Sequence, residues 1–510
     1  MIPPRFHVTP VRAAPSRIPI QALRTLHTLV AAGLLLLGGC AAGPDYLRPD
    51  PSPAAGYLPG AAPGSDGASL PAAPGTARLV DGQDIPGAWW EVFHAPQLDA
   101  LIAQALAHNP DLAAAQAGLD QAHELALAQH GAYDPSVSAG FAASRQKTSA
   151  QLAPTPNSGA LEYSLFTPQL SISYAPDVFG LTRRTVEALD AQGEQARFAL
   201  IATHITLSAT VATTAIQEAS LRAQIDACQQ QVDLDQRMLD VVRHQEAAGY
   251  ASRLDCAAQE AQLGQARAAL PPLRKQLAQE RDLLADLTGG FPNQDVDATI
   301  PLAAWSLPSD LPLSLPSHLV EQRPDVRQAE ATLHAACARI GIAAANRLPS
   351  FSLTGDLGAM ALTAGSIVTG GTAFWGLAAG ITQPLVMDGT LRHEERAATA
   401  AYAQAAQQYR ATVLGAYENV ADTLHALSQD GEALAAAAEA LDAATTTRDL
   451  TRQQLASGYT TALAELTCEQ ACQQAELAVI QAQATRCADT VALFQALGGG
   501  WWNRTDLPSR

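Results

Sequence analysis

"NPDLAAAQAGLDQAHELALAQHGAYDPS", residues 109–136, and "RPDVRQAEATLHAACARIGIAAANRLPS", residues 323–350, are one motif written twice. Pro110 and Pro324, Leu119 and Leu333, and Pro135 and Pro349 each stand 214 positions apart. Further on, "DVFGLTRR" around Gly180 is matched by "VMDGTLRH" around Gly389, and "AGYASRLD" around Gly249 by "SGYTTALA" around Gly458, now 209 apart. A self-similarity of this period marks a duplicated structural unit. The slip of five residues falls between Pro135 and Gly180 in one copy and between Pro349 and Gly389 in the other. A length change tolerated there marks a surface loop between two elements.

Each copy reads as a helix, two strands and two very long helices. Val137, Ala139 and Phe141 interleave with Ser138 and Gly140; Leu170, Ile172 and Tyr174 interleave with Ser171 and Ser173; Phe351 and Leu353 alternate with Ser352 and Thr354. Period-two alternation gives a strand one apolar and one polar face. Phe141, Phe166, Tyr174, Phe351, Phe374 and Trp375 add aromatics of the kind found at membrane interfaces. A soluble sheet with one wet face shows the same periodicity. Residues 181–248 contain no proline and a single glycine, Gly193, and residues 390–457 are also free of proline. As single helices, such stretches are roughly 100 Å long at ~1.5 Å per residue. Leu221, Ile225, Cys228, Val232, Leu239 and Val242 keep a 4,3 spacing broken at Asp235, which predicts a coiled-coil seam. Gly249-Tyr250 and Gly458-Tyr459 then end each long helix and start its partner, since Gly accepts the left-handed geometry of a helix C-terminus. Pro271-Pro272 is expected to break the first returning helix, and the Pro-rich tract from Phe291 to Pro316 to link the copies outside the barrel of helices.

The N-terminus carries an export signal. "LVAAGLLLLGGCAAGPDY", residues 29–46, is too short for a membrane-spanning helix, which needs about 20 apolar residues. Arg5, Arg12, Arg17 and Arg24 precede it with no acid before Cys40, the charge pattern of a secretory signal. Leu37-Gly38-Gly39-Cys40 resembles a bacterial lipobox, whose thiol receives diacylglycerol, and Ala41 in place of Asp favours the outer membrane. Beyond this signal, 27 basic residues face 49 acidic ones, a charge of −22 that repels phosphate backbones and excludes nucleic acid as a partner. Six further cysteines (Cys228, Cys256, Cys337, Cys468, Cys472, Cys487) sit in helical-looking sequence without paired spacing and read as small buried hydrophobes, although an exported setting permits a disulfide. No zincin, phosphate-loop, nucleophile-elbow or Cys-x-x-Cys pattern occurs, and no His or Cys near Cys468 and Cys472 completes a metal site. No catalytic, cofactor-binding or metal residue is therefore expected.

Four amphipathic strands cannot close a barrel, and an open sheet edge cannot sit in hydrocarbon. The chain must combine with copies of itself in a ring. Here it resembles the outer-membrane factor family, the TolC-like channels of tripartite efflux pumps, and most closely the lipoprotein (NodT-like) branch. The resemblance rests on Cys40 followed by "GPDYLRP", on "WWEVFHAPQLDALIAQALAHNPDL", "SYAPDVFG", "QRPDVRQAEATLHAACARIGIAAANRLPSFSLTG" and "GITQPLVMDGTLR", in that order. It implies a mainly α fold with a membrane β-barrel. Two repeats each give two barrel strands and long coiled-coil helices, assembled as a homotrimeric α-barrel/β-barrel channel. It also implies a lipid-anchored protein of the bacterial outer membrane with a long periplasmic extension. Its partners are a periplasmic adaptor and an inner-membrane pump, usually of the resistance-nodulation-division type. The expected division is 1–39 signal peptide, 40–88 lipidated Pro/Gly-rich segment, 89–308 and 309–500 efflux repeats, and 501–510 C-terminal tail. The alternatives are the outlet of a one-step protein secretion system and a periplasmic coiled-coil lipoprotein that forms no pore.

The same resemblance places a periplasmic gate at the hairpin tips, and there this sequence departs from the pattern. Family members carry an Arg just after the second Gly-containing turn and then two aspartates; here those positions are Thr460, Ala464 and Thr467. Asp255, in the first repeat, matches an acidic position facing the closed mouth. A less acidic constriction is expected, with Asp255 either in a threefold ring or stabilising a helix start. His94 and Ala95 replace an often acidic residue before Pro96, in a surface turn.

Overall fold

The computed structural model describes residues 41–50, 56–57, 78–149, 161–294, 299–308, 310–313, 316–387 and 389–507. The signal segment and Cys40 lie outside the described residues. In chain order come β1 (Arg78–Asp81), α1 (Pro96–His108), α2 (Pro110–His130), β2 (Ser136–Lys147), β3 (Glu162–Tyr174), α3 (Leu181–Ala247) and α4 (Arg253–Leu287). There follow β4 (Asp310–Leu313), α5 (Pro316–Gln322), α6 (Pro324–Ala345), β5 (Ser350–Ala359), β6 (Ala373–Thr382), α7 (Thr390–Ala456) and α8 (Ala462–Ala496). The order helix, two strands, two long helices thus occurs twice. Both long helices contain 67 residues and end within one residue of the expected limit. The chain forms two compact units that each draw on both repeats. One takes the residues up to Pro44, Gln129–Val186 and Ala338–Arg396, and the other takes Asp45–Ala128, Glu187–Cys337 and Ala397–Arg510.

The first unit holds an antiparallel sheet ordered β2-β3-β5-β6. Residues directly opposite in an antiparallel pair share a face. The register therefore sorts the side chains without ambiguity. Phe141 faces Pro168, Val137 faces Ile172, Leu170 faces Leu357 and Leu357 faces Trp375, while Gly355 brings Leu377 onto the same side. Val137, Phe141, Leu357, Trp375, Leu377 and Ile381 of this apolar face are exposed. On the other face Ser138, Ser171 and Asp356 lie in one row, with Ser171 Oγ donating to Asp356 Oδ1 at 2.7 Å and Gln169 Nε2 to Ser171 Oγ at 3.0 Å. Phe374, next to Trp375, falls on this polar face because adjacent strand residues point to opposite sides. Among the described residues β2 and β6 each pair on one side only, which leaves two open edges.

The second unit is helical, with the core of Trp89, Phe93, Leu98, Ile102, Val420 and Phe494 at its centre. Trp89 stacks on Phe494 at 5.4 Å between ring centroids, and Phe93 meets Trp305 edge-on at 5.5 Å. The motif around Trp89 is therefore core. Its turn ends at His94, whose φ of 52° is the one left-handed non-glycine conformation among the described residues. The predicted seam on α3 exists: Val232 and Leu239 pack on Leu263 and Leu270 of α4, flanked by Ile225 and Cys228. A second stripe, Leu234 and Met238, packs on Leu466 of α8. Asp235, at the break in the seam, is buried and accepts from Gln231 Nε2 at 3.1 Å. An apolar 18-residue window in α3 is long enough to cross a membrane, but 67% of it is buried inside the protein, as in a core helix. None of the six described cysteines forms a disulfide, and Cys256, Cys337, Cys472 and Cys487 are buried.

Equivalent residues close each repeat on itself. Asn109 Nδ2 donates to Leu287 O at 3.1 Å, at the end of α4. Arg323, at the matching position, donates through Nη1 to Ala496 O at 3.0 Å, at the end of α8. Helix-terminal carbonyls have no partner within their own helix, so these side chains satisfy groups otherwise left open.

Two sequence expectations need correction or extension. Pro271 and Pro272 do not break the returning helix, because α4 runs through both. An internal proline costs about 3 kcal/mol through a lost hydrogen bond and a crowded carbonyl. Burial of Leu263 and Leu270 before the pair and of Leu284 after it holds the helix together across them. The Pro-rich tract between the repeats is also more than a link, since β4 pairs in parallel with β1 and buries Leu311 and Leu313. Residues 501–504 are fastened down: Trp501 Nε1 donates to Gln322 O at 2.6 Å, Trp502 Nε1 to Asp84 Oδ1 at 2.9 Å, and Arg504 lies 5.4 Å from the Trp90 ring centroid.

Two ionisable groups in the helical unit give stability opposite pH dependences. Burial, followed by the neighbouring Asp489, pushes the Asp430 carboxyl on α7 up to about 7, against the pull of buried Arg486 on α8. Its contribution is fully present below the ordinary value of 3.8 and is lost as pH rises through about 7. Burial, followed by the Arg504 cation, holds His204 down at about 4, so its contribution is present above 6.5 and is lost as pH falls towards 4. Between these limits the two slopes oppose each other. Asp430→Asn should therefore make the melting temperature rise more steeply with pH across that window, and His204→Gln should make it fall. Parallel profiles for both variants and the unmodified protein in thermal melts would contradict the assignment.

Candidate functional site

The hairpin tips are built by the same local chemistry in both repeats. At the end of α3, Gly249 takes φ 80°, its N–H donates to Glu246 O at 2.9 Å, and Tyr250 N–H donates to Gln245 O at 2.8 Å. At the end of α7, Gly458 takes φ 76° and donates to Leu455 O at 3.0 Å, and Tyr459 donates to Gln454 O at 2.9 Å. This is the paired closure of a helix C-terminus that needs a left-handed residue, which only glycine adopts without strain. Each turn leaves its tyrosine in solvent, Tyr250 at 87% and Tyr459 at 85% exposure, with Leu254 beside the first at 77%.

The next helices start differently. Ser252 caps α4: its Oγ accepts from Asp255 N at 3.3 Å, while Asp255 Oδ2 accepts from Ser252 N at 2.8 Å and from Ser252 Oγ at 2.7 Å. This is a reciprocal capping box, with the spacing Ser-x-x-Asp. Its hydrogen bonds, from the Ser252 backbone first and then its hydroxyl, hold the Asp255 carboxyl below the ordinary carboxylate value. In the second hairpin Thr461 Oγ1 accepts from Ala464 N at 3.3 Å, but Ala464 has no side chain to return the bond. Thr460 lies in the turn, half-buried, and Thr467 is exposed with its hydroxyl donating to Leu463 O at 2.9 Å. Asp255 is thus the only carboxylate among the four candidate gate positions.

Ion pairs hold the hairpins closed near the tips. Arg243 meets Glu260 at 2.6 Å across the first, and Arg452 meets Glu465 at 3.0 Å across the second. Arg237 of α3 pairs with Glu469 of α8 at 3.1 Å, joining the two. Cys256 Sγ donates to Glu246 Oε2 at 3.0 Å, and that carboxylate pushes the thiol up to about 11. Cys468 and Cys472 face Thr451, Thr445 and Arg448 of α7. Among the described residues no group of three His, Cys, Asp or Glu side chains is placed to hold a metal ion.

The two halves of this arrangement correspond to known sequence. Residues 101–290 and 315–499 match the family described as outer membrane efflux protein. The chain belongs to that family. The unmatched stretch between the two segments is the Pro-rich tract that joins the repeats. The toluene efflux pump outer membrane protein TtgF of Pseudomonas putida is 30% identical over 491 residues, 94% of this chain and 98% of its own. The pyoverdine export outer membrane protein OpmQ of Pseudomonas aeruginosa is 30% identical over 420 residues, 81% of this chain and 87% of its own. Among solved structures, the outer-membrane channel OprN superposes with a TM-score of 0.79 at 26% identity, covering 91% of this chain and all of OprN. This efflux protein is therefore an outer-membrane channel whose long helices form its periplasmic part.

The tips should respond to substitution at matched positions. Gly249→Ala and Gly458→Ala each force a side chain into left-handed geometry, at about 1–2 kcal/mol, and should speed amide exchange at both tips alike. Ser252→Ala removes a cap, at about 1 kcal/mol, and should loosen only the first. Hydrogen-exchange mass spectrometry reads both effects, and exchange unchanged at Gly249 and Gly458 would contradict the turn assignment.

Proposed function

We propose that this chain forms, as a homotrimer, the passive outer-membrane conduit of a tripartite efflux system. Compounds are handed to it by an inner-membrane pump of the resistance-nodulation-division type through a periplasmic adaptor, and neither catalysis nor a cofactor is involved. The observation that carries this reading is the four-stranded sheet with one exposed apolar face, one polar face and two open edges. Three copies supply twelve strands, within the range of closed outer-membrane barrels, with the polar face lining the lumen. Residues 1–39 act as the export signal, and Cys40 receives the lipid anchor. The naming of TtgF for toluene and of OpmQ for pyoverdine supports small organic compounds as the cargo, with the choice among them made largely by the pump.

The hairpin tips form the periplasmic mouth. Tyr250, Leu254 and Tyr459 offer the adaptor an exposed, partly apolar surface. Three copies of Asp255 ring the constriction, where each charge disfavours ionisation of its neighbours. The Ser252 hydrogen bonds oppose that repulsion and keep the carboxylates charged. Thr460, Ala464 and Thr467 add no charge, so Asp255 sets the selectivity. In planar bilayers the purified protein should conduct with a preference for cations, which Asp255→Asn lowers and Thr467→Asp raises. Absence of conductance would contradict the conduit, and selectivity unchanged in both variants would reject the ring.

A further inference from the structure

The first described residues after Cys40 are built into the sheet-bearing unit. Ala42 N–H donates to Phe179 O at 2.9 Å. Arg184 Nε donates to Ala42 O at 3.2 Å and its Nη2 to Gly43 O at 3.5 Å, and Arg184 itself is buried. Gly43 and Gly341 touch so closely that a Cβ on Gly43 would stand 2.5 Å from Gly341 Cα. Ala41 sits on Gly180, where a Cβ would stand 2.9 Å from the Ala41 methyl. Ala41, Ala42 and Gly43 are therefore held at one place, against Gly180, Arg184 and Gly341.

On either side of Gly180, Phe179 and Leu181 form part of the wall of a cavity of about 240 Å³. Val178, Leu348, Phe351 and Pro384 are also part of its apolar lining. Two of the polar side chains at its margin are engaged. Asp177 accepts from Thr182 N at 3.0 Å and from Arg183 N at 2.8 Å, capping the start of α3, and Ser350 Oγ donates to Thr382 O at 3.3 Å. The cavity lies where β3 ends, β5 begins and β6 ends, at the edge of the sheet from which α3 departs. In an outer-membrane barrel that edge is the periplasmic rim, level with the leaflet that lipoprotein acyl chains enter.

We propose that this cavity seats an acyl chain of the lipid carried by Cys40. The proposal rests on the reading of Cys40 as the lipidated residue. Ala41 packs on Gly180, between the wall residues Phe179 and Leu181, and consecutive Cα atoms are 3.80 Å apart, so an acyl chain carried by the residue before Ala41 has the cavity within its reach. A dry apolar cavity of about 150 Å³ accepts a benzene ring, so this one has room for part of a fatty chain and not for all of it. The anchor then does more than tether the N-terminus. It fills the junction between sheet and helices from within the same chain, and the contacts of Ala42 and Gly43 set its register.

Cells grown on a diazirine-bearing fatty acid provide the test. Mass spectrometry of the N-terminal peptide of the purified protein first establishes whether Cys40 is acylated. After irradiation, cross-links from that chain should map to residues 175–182 and 345–351 of the same protein. Leu348→Trp, which fills the cavity, should abolish them while leaving acylation and assembly intact. Should that variant fail to assemble, Pro384→Trp serves the same purpose. An acylated Cys40 whose cross-links reach only membrane lipids would overturn the cavity assignment and leave the anchor standing. A protein without acyl at Cys40 would overturn both. Cross-links that persist in a Cys40→Ser form exported by a non-lipoprotein signal would assign the cavity to phospholipid and overturn the proposed occupant.

Discussion

An unpaired backbone amide in hydrocarbon costs several kcal/mol, and this chain presents two rows of them. The edges of the sheet, β2 and β6, have no outer strand partner among the described residues, and the face they border carries Phe141, Trp375 and Leu377 outward. Such a sheet is stable neither in water, where its apolar face is exposed, nor alone in lipid, where its edges are. Closure with copies of itself removes both penalties together.

Duplication makes the helical part regular. Because Asn109 and Arg323 tie the start of each repeat to its own last helix, each hairpin is held at its base by the same contact. Identical glycine turns close both hairpins at the other end. Between base and tip, α3 carries two apolar stripes, one against α4 and one against α8. A helix with two such stripes is suited to a wall, in which every helix has a neighbour on each side. The symmetry breaks at the tips: Asp255 returns a hydrogen bond to its cap, and Ala464 at the equivalent position does not.

Periodic features were legible in the sequence because burial acts on whole faces. The alternation of Val137, Ala139 and Phe141 placed the strands, and proline-free runs bounded by Gly180 and Gly249, and by Gly389 and Gly458, placed α3 and α7 almost to the residue. What escaped the sequence depends on tertiary contact. Pro271 and Pro272 are tolerated because leucines on either side are packed, and propensity alone contains no such term. β1 and β4 are four residues each and pair across more than two hundred positions, beyond the reach of local pattern. The same holds for the Asp430 carboxyl beside Asp489 and Arg486, and for Trp502 on Asp84, which involve residues with no periodic signature. At the tip, Ser252 and Asp255 stand at capping-box spacing, a purely local pattern that the sequence does carry.

The central claim is that the barrel closes between chains, β2 of one copy beside β6 of the next. Paired cysteines scanned along these two strands in one chain test it directly, by oxidation in the outer membrane. At the correct register the account predicts covalent products that end at a trimer, because the third bond closes the ring. Products that run on into longer ladders, or disulfides formed only within single chains at every register, would contradict it.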